Sequence, residues 1–430
     1  MSKLGFLFNM EKIFKIRRVV FTLFLMLFTI GAVFISFYSR GLSFNLKTFR
    51  FQKTGAIFIE TKPKNVLIKI DGKVFPDQSG PISSGTLIRN LLPGIYKIDI
   101  EKDGFYPWSK NLEVESAFVT EATRIILIPR KINKEMVFNA KKVSNFWVSL
   151  KGKIISSKDN KLYLYNSADS IPIKLKADKF LGFNSDETKV LLQDTKTLNF
   201  YISELQNSFS ALNLNLLIKR LDAQLIIKKA SFHPFALNKV ILETKNGLII
   251  FELDTKKIEK ISEQVPINWT LNGFNLYVWR DNILEIFNLM LKTKSIFEDP
   301  NLTQILKESK LFRISPNNQQ IAFLGKNNGI TIFFLKEQIR SFNKKAGEVI
   351  NLKDKSVDLK KEIENICWYF DSAHLFIESS NGVDFVEVDE KKPINQNSIL
   401  QNISQLHYEI STNTIYFLED NWIYKWQMKY

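Results

Sequence analysis

Three features of the sequence predict a mostly β protein carried by one N-terminal transmembrane helix. Residues 19–38 contain no Asp, Glu, Lys, Arg or His. A helix of that length covers about 30 Å, the thickness of a bilayer's hydrocarbon core. From Thr54 onward, short apolar runs alternate with turns rich in Gly, Asn and Asp, which is typical of antiparallel strands. Beyond Lys131, one unit of strands and turns recurs along the chain, and such repetition indicates stacked sheets.

These features predict five segments. Residues 1–18 form a basic cytoplasmic head, residues 19–38 a transmembrane signal anchor, and residues 39–53 a basic juxtamembrane linker. Residues 54–130 form a small β-sandwich, and residues 131–430 form the repeat domain. The C-terminal body is long enough for two or three domains.

Charge on either side of the apolar run predicts the orientation of the chain. Four basic residues lie between positions 12 and 18, whereas Arg40 stands alone after the run until Lys47. Positively charged flanks resist translocation, so the head is expected in the cytoplasm and the body outside the membrane. A cleaved signal peptide is the alternative, but its apolar region is usually about 7–15 residues and ends in small residues. Here the run ends in Phe37 and Tyr38, which favours an uncleaved anchor.

The basic excess is concentrated beside the membrane. The formal net charge is +16, and residues 1–53 hold nine basic residues against one acidic. Arg40, Lys47, Arg50 and Lys53 either contact anionic lipid or anionic wall polymer, at roughly 1 kcal/mol each, or belong to a solvated linker. The remaining charge is dispersed in sequence, so nucleic acid is not an expected partner. The single cysteine, Cys367, excludes an intrachain disulfide, and its apolar neighbours predict a buried structural thiol.

The first β module carries four turn motifs in a fixed order. They are Pro63-Lys64-Asn65-Val66, Asp71-Gly72-Lys73, Leu92-Pro93-Gly94 and Lys102-Asp103-Gly104-Phe105. On these motifs, residues 54–130 resemble the PEGA domain, a small β-sandwich common in bacterial envelope proteins. Of the tetrapeptide that names the family only the proline is kept, and Asn65 replaces the glycine because Asn tolerates the left-handed conformation. The resemblance implies an envelope setting and a binding or spacer role, with no catalytic residue to carry over.

The second module reads as seven repeated units. The clearest copies contain Phe312, Ala230 and Trp368, and weaker copies begin near Val143, Phe180, Ile267 and Leu406. Short antiparallel strands at spacings of roughly 37 to 56 residues are what β-propeller blades require, because one small sheet cannot bury both of its faces. A series of β-sandwiches is the alternative. The units resemble bacterial periplasmic propellers whose blades carry a Ser-Pro-Asp-Gly-like turn, and Ser315-Pro316-Asn317-Asn318 is the nearest match. Closure of the ring is expected to borrow a strand from residues 135–140.

Three segments interrupt the repeat. Residues 206–229 predict a long hairpin or a short helix. Asp299-Pro300 predicts a helical turn through Leu306, since Pro suits a first helical position. Residues 336–364 are rich in Lys and Glu and predict an exposed insertion.

The sequence carries no motif for catalysis. The three histidines, His233, His374 and His407, lack the spacing of a zinc site, and there is no nucleophile elbow, phosphate-binding loop or dinucleotide fingerprint. No catalytic residue, metal or cofactor is therefore expected. The carboxylates considered for glycoside hydrolysis sit mainly at turns, where Asp is favoured for local hydrogen bonds: Asp186, Asp254, Asp281, Asp371 and Asp389. Trp108, Trp269, Trp279 and Trp368 either pack in the core or stack on sugar rings.

The sequence thus predicts a single-pass, membrane-anchored scaffold of the cell envelope. Its propeller would dock a protein or a glycan outside the membrane. The alternative function is an extracytoplasmic hydrolase that uses carboxylates in the propeller's central pocket.

Overall fold

The computed structural model describes residues 3–39, 41–45, 48–81, 83–140, 143–166, 171–206, 210–338, 343–352 and 362–429. The chain divides into two compact units. The first comprises residues 1–103 with 107–127, and the second comprises residues 104–106 with 128–430. Strands dominate both units, which confirms the prediction of a mostly β chain.

Helix α1 spans Lys3–Ser39, so it begins well before the predicted anchor and includes most of the predicted head. Within it, Ile16–Ser39 is long and apolar enough to cross a membrane by length and composition. Its large side chains are exposed, including Phe21, Phe24 and Phe28. Exposed apolar surface of this extent is costly in water and suits lipid.

The predicted linker contains regular structure. Strands β1 (Leu42–Asn45) and β2 (Arg50–Lys53) pair as an antiparallel hairpin. The hairpin packs on the end of α1, where the Phe51 ring lies 4.7 Å from the Phe37 ring and 5.7 Å from the Phe34 ring. Phe44 adds a further ring contact to Phe51 at 5.2 Å. The description of residues 39–53 as a linker is therefore incomplete, because aromatic packing orders the described part.

The rest of the first unit consists of two small sheets. The three-stranded sheet has the order β6-β3-β9, and the four-stranded sheet has the order β5-β4-β7-β8. Buried side chains alternate along the strands of both sheets, as expected for two sheets packed face to face. The strands are β3 (Gly55–Lys62), β4 (Leu67–Ile70), β5 (Lys73–Phe75), β6 (Thr86–Leu91), β7 (Gly94–Glu101), β8 (Trp108–Val114) and β9 (Val119–Ile126).

The described residues of the second unit form seven four-stranded antiparallel sheets, which follow one another along the chain. Blade 1 contains β11 (Asn145–Val148), β12 (Ile154–Lys158), β13 (Lys161–Tyr165) and β14 (Ile173–Lys174). Blade 2 contains β15 (Lys179–Phe183), β16 (Lys189–Gln193), β17 (Phe200–Glu204) and β18 (Ala211–Asn213). Blade 3 contains β19 (Ile227–Phe232), β20 (Lys239–Thr244), β21 (Gly247–Glu252) and β22 (Ile258–Ser262). Blade 4 contains β23 (Asn268–Asn272), β24 (Asn275–Arg280), β25 (Ile283–Asn288) and β26 (Thr293–Glu298).

The remaining blades include the closing one. Blade 5 contains β27 (Ser309–Ile314), β28 (Gln320–Gly325), β29 (Ile330–Phe334) and β30 (Val349–Asn351). Blade 6 contains β31 (Ile363–Trp368), β32 (His374–Ser379), β33 (Gly382–Glu387) and β34 (Gln396–Gln401). Blade 7 joins β35 (Gln405–Glu409), β36 (Thr414–Glu419) and β37 (Trp422–Gln427) to β10 (Glu135–Asn139), the strand that precedes blade 1. The two ends of the domain thus meet in one sheet, and β10 is the closing strand expected from residues 135–140.

Apolar clusters join each blade to the next. One cluster joins blades 7 and 1 through Phe138, Phe146 and Leu418. Separate clusters join blades 1 and 2, 2 and 3, 3 and 4, 4 and 5, and 5 and 6. Between blades 6 and 7, Tyr408 packs on Phe376 at 4.9 Å and on Tyr369 at 5.8 Å. Seven sheets joined side by side with the last joined to the first form a closed β-propeller.

The turn after an inner strand connects neighbouring blades as well as neighbouring strands. In blade 5, the Ser315 hydroxyl accepts a hydrogen bond from the Gln320 amide at 3.0 Å, and Asn318 has a φ of 59°, where the related motif has glycine. The Asn272 side chain of blade 4 donates to the Ser315 carbonyl at 2.9 Å. The Asn317 amide donates to the Ser372 hydroxyl of blade 6 at 3.1 Å. The Ser-Pro-Asn-Asn turn predicted from the sequence therefore also links blades 4, 5 and 6 by hydrogen bonds.

The three interruptions of the repeat contain regular structure in their described parts. A short helix, α2 (Leu214–Leu221), follows β18, so the helical alternative for residues 206–229 is correct. Helix α3 (Pro300–Glu308) begins after Asp299, whose carboxylate accepts from the Asn301 amide at 2.8 Å, as the sequence predicted. The prediction of an exposed insertion at residues 336–364 is wrong for β30, because Ile350 is buried in the core between blades 5 and 6. Residues 339–342 and 353–361 lie outside the described part.

We expect the contact of β10 with its neighbours to carry a large part of the propeller's stability. Phe138 is buried against Tyr165, with ring centroids 4.4 Å apart. Phe138→Ala should therefore lower the free energy of unfolding by about 3–5 kcal/mol. Denaturant titration of the full chain in detergent, followed by tryptophan fluorescence, measures the change. Met136→Ala is the matched control, since Met136 lies on the same strand but is exposed. Equal losses in the two variants would contradict a closing role for Phe138.

Candidate axial site

Two adjoining cavities lie along the first strands of blades 2 to 5, which are the inner strands of the propeller. One has a volume of about 420 Å³ and is lined by residues of β15, β19 and β23. The other has a volume of about 330 Å³ and is lined by residues of β23, β27 and α3. Lys229, Trp269 and Thr270 line both cavities. Because inner strands surround the axis of a propeller, these cavities lie at its axial face.

The cavities are strongly cationic. We use the name axial cationic site for their six basic lining residues, which are Lys179, Lys228, Lys229, Lys307, Lys310 and Arg313. Among the described residues, no Asp or Glu lines either cavity. All six residues keep solvent-exposed surface, although protein atoms surround the charged ends of Lys229 and Arg313. The cavities therefore present several ammonium groups and one guanidinium group to solvent.

Lys229 occupies the centre of the site. Its ammonium group lies 4.6 Å from the centroid of the Trp269 ring and donates to the Trp269 carbonyl and, at 3.3 Å, to Asn268 Oδ1. Burial lowers the pKa of Lys229; the charge of Glu243 acts in the opposite direction, and Lys179 adds to the lowering. Trp269 is held in turn, because its indole Nε1 donates to Glu243 Oε2 at 2.8 Å. The Lys229 ammonium is thus positioned by a buried and hydrogen-bonded indole.

Other cations of the site have few acidic partners. Arg313 donates from Nη1 to the Phe312 carbonyl at 3.2 Å and from Nη2 to Asn365 Oδ1 at 3.1 Å. Burial lowers the pKa of Arg313, and Cys367 opposes that change. Lys310 donates to Asn328 at 3.1 Å and forms a 3.9 Å ion pair with the exposed Glu362. An exposed pair at that distance contributes little, so the site keeps a positive field.

The carboxylates considered for hydrolysis are not assembled into a pair. Asp186 accepts from Thr188 at 2.7 Å, Asp254 accepts from Asn238, and Asp389 accepts from the Lys391 amide at 3.0 Å. Asp371 accepts from the Ala373 amide at 2.8 Å and contacts His374 Nδ1 at 2.7 Å. Asp281 lies at the turn between β24 and β25. The interpretation of these residues as turn residues agrees with this placement.

Outside this set of Asp residues, burial raises the pKa of the Glu378 carboxyl on β32. Its oxygens accept from the Leu406 amide at 2.9 Å and from Asn365 Nδ2 at 3.2 Å. Glu378 lines neither axial cavity. The charge of Glu364 also raises this pKa, but both oxygens of Glu378 are occupied by hydrogen bonds within the fold, as in a structural residue.

The tryptophans and the cysteine occupy core positions. Trp108, Trp269, Trp279 and Trp368 are all buried, which confirms core packing rather than sugar stacking. Cys367 is partly buried, and burial raises the pKa of its thiol to about 11. Among the described residues, no group of three or more His, Cys, Asp or Glu side chains could hold a metal ion. A further cavity of about 760 Å³ lies beside α3 and blade 5, and Asn351, close to residues outside the described part, lines it.

The predicted site residues that precede the repeat domain lie at turns, on β2 or outside the described residues. Asn65, Asp71, Gly72 and Gly104 have positive φ angles, and Asp71 Oδ1 accepts from the Lys97 amide at 2.8 Å. Pro93 precedes β7, Gly94 begins it, Pro63 precedes β4, and Phe105 bridges to Pro129. Arg50 and Lys53 are exposed on β2, whereas Arg40 and Lys47 lie outside the described residues. None of these residues joins the axial site.

Sequence reasoning missed the axial cationic site. The cations looked dispersed because Lys179 and Arg313 are far apart in the chain. A signal was present, however, since Lys179, Lys229 and Lys310 all lie near the start of an inner strand. Aligning the seven units on their inner strands would have placed these lysines side by side.

Comparisons with known proteins assign no family to the chain. No family model and no curated protein matches the chain. Among solved structures, the β-propeller domain of Cps50 (Swd1) from Myceliophteria thermophila is similar at 8% sequence identity and a TM-score of 0.44, covering 70% of this chain and 100% of that domain. The propeller assignment therefore rests on this chain's own sheet topology. The resemblance of residues 54–130 to the PEGA domain stays a prediction.

His233 makes the propeller sensitive to acid. It is buried, accepts from the Ala236 amide through Nδ1 at 3.2 Å, and has a pKa lowered by burial and by Lys239 to about 4. Between pH 6.5 and pH 4, His233 binds a proton in the unfolded chain but stays neutral in the folded chain. The free energy of unfolding is therefore expected to fall by about 3 kcal/mol as the pH falls through this window. His233→Asn keeps an acceptor for Ala236 without a titrating ring. Denaturant titrations at pH 7 and pH 4 should show a smaller pH dependence for this variant. An unchanged pH dependence would contradict the assignment.

Proposed function

We propose that the chain is a membrane-anchored binding protein of the cell envelope, which docks a protein or a glycan on the axial face of a propeller held outside the membrane. The observation that carries this proposal is the pair of axial cavities lined by six cations and by no described carboxylate. A closed propeller offers a rigid frame for such a concave surface. The PEGA-like sandwich would serve as a spacer.

The alternative of a carboxylate-based hydrolase has less support. Glycoside hydrolysis needs two carboxyl groups on either side of the scissile bond. The Asp residues considered for that role are engaged in turns, and Glu378 is occupied by two hydrogen bonds outside the cavities. The nearby lysines would also lower the pKa of a carboxyl group in the cavities and keep it ionised. An ionised carboxylate cannot act as a general acid.

Contacts of the juxtamembrane hairpin support an anchor that is retained. Phe51 packs on Phe34 and Phe37, which are one turn apart near the end of α1. Cleavage between the helix and the body would separate these aromatic partners. Aromatic residues at this level, together with Arg50 and Lys53, suit the boundary between lipid and water.

Cysteine labelling in intact cells tests the orientation. In a Cys367→Ser background, a cysteine at Lys161, which is exposed on β13, should react with a membrane-impermeant maleimide in intact cells. A cysteine introduced at Ser2 should react only after the cells are permeabilised, because the basic head is expected inside. The reverse pattern would contradict the proposed topology. Recovery of the body away from the membrane, labelled at position 161 but without the Ser2 segment, would show that the anchor is cleaved.

Photocrosslinking tests the docking face. A photoreactive amino acid at Thr270, which lines both cavities, should capture a partner in living cells. The matched control is Thr293, which is exposed on the outer strand of the same blade. Capture at Thr270 alone would support axial docking, and capture only at Thr293 would contradict it.

A further inference from the structure

The cations of the axial site are not neutralised within the site. Its described lining residues include no carboxylate, and the acidic groups that reach it are Glu243, bonded to Trp269, and Glu362, 3.9 Å from Lys310. Lys179 disfavours the charged form of Lys229, which shows that like charges act on one another here. A bound anion would relieve that repulsion, and the concave walls would strengthen its attraction.

The types of cation favour phosphate over carboxylate. Five of the six residues are lysines, whose ammonium groups bind phosphate as point charges. Bidentate recognition of a carboxylate uses a guanidinium fork, and the site has one guanidinium, that of Arg313, whose Nη1 and Nη2 atoms each already donate one hydrogen bond, to Phe312 and Asn365. The site thus supplies many separate donors rather than one planar fork.

The arrangement of the cations favours a chain of phosphates. They extend from Lys179 on blade 2 to Lys310 and Arg313 on blade 5, across two cavities joined at Lys229. A single phosphate group would contact few of them, whereas a linear polyanion can follow the inner strands from one cavity to the next.

The aromatic residues of the site distinguish between sources of phosphate. Phe200 and Trp269 are buried, and Phe312 is half-buried between blades. Single-stranded nucleic acid gains affinity by stacking its bases on exposed aromatic rings, and these rings do not offer that surface. A phosphodiester polymer without bases needs only the cations.

We propose that the axial cationic site binds a linear, phosphate-bearing polymer without bases, a phosphodiester chain of sugars or polyols. This inference rests on the proposed docking function and names the chemistry of its ligand. Each phosphate that a lysine contacts releases a condensed counterion, so affinity should fall steeply as salt rises.

The test uses the full-length protein in non-ionic detergent with poly(glycerol phosphate) as the probe. Binding is measured by calorimetry over a series of salt concentrations. The site variant carries Lys179→Gln, Lys229→Gln and Lys310→Gln. It should bind more weakly, and the slope of log affinity against log salt should fall by about 2 units.

The matched control variant carries Lys161→Gln, Lys245→Gln and Lys257→Gln. These lysines are exposed on turns and strand ends outside the site, so the same loss of net charge should leave affinity and slope unchanged. Equal losses in the two variants would overturn the proposal, since binding would then reflect overall charge. Denaturant midpoints of both variants exclude misfolding as the cause.

Two further probes separate ligand classes. Polyglutamate of matched charge should bind more weakly, and equal binding would overturn the preference for phosphate. A single-stranded oligonucleotide of equal phosphate number should bind no better than poly(glycerol phosphate), and tighter binding would overturn the exclusion of bases. If no phosphate polymer binds while Thr270 still captures a partner, this inference fails and the docking function stands. If both fail, the docking function falls as well.

Discussion

The architecture of the second unit depends on one constraint: a four-stranded sheet has two apolar faces and can bury them only against other sheets. Six interfaces follow from the order of the chain, but the seventh must join its two ends. Here β10, from before blade 1, pairs with β37 and places Phe138 in the core between blades 7 and 1. Without this pairing, one blade face at each end of the series would be open to water.

The arrangement of blades around one axis also creates the axial site. Lys179 and Lys310 are 131 positions apart in sequence, yet both lie near the starts of inner strands around one axis. Each lysine alone is an ordinary exposed residue. Only the circular arrangement of blades gathers them into adjoining cavities with Lys229 between them. The binding surface is therefore a property of the ring rather than of any blade.

Short sequence motifs predicted those structures that depend on contacts between residues close together in the chain. Asp299-Pro300 begins a helix because the carboxylate caps the first amides and proline needs no donor, and Ser315 organises its turn through nearby amides. The buried tryptophans were also predicted, since a blade needs large apolar side chains between sheets. The sequence did not predict how distant units align in space. For that reason β30 was assigned to an exposed insertion and the cations were described as dispersed. Those features depend on contacts between strands that the linear sequence does not place together.

The stability of the propeller and the chemistry of its axial site reside in different places. The clusters that join the blades are apolar and buried, whereas the cations project from exposed positions on the inner strands. The repulsion among these lysines is therefore opposed by packing energy from interfaces that do not contain them. Lys229 connects the cationic site to the buried core, because its ammonium group lies over the Trp269 indole, which Glu243 holds in the core by a hydrogen bond. An ammonium group held against a rigid, buried ring loses little mobility when an anion binds. The entropic cost of ordering the site is therefore small.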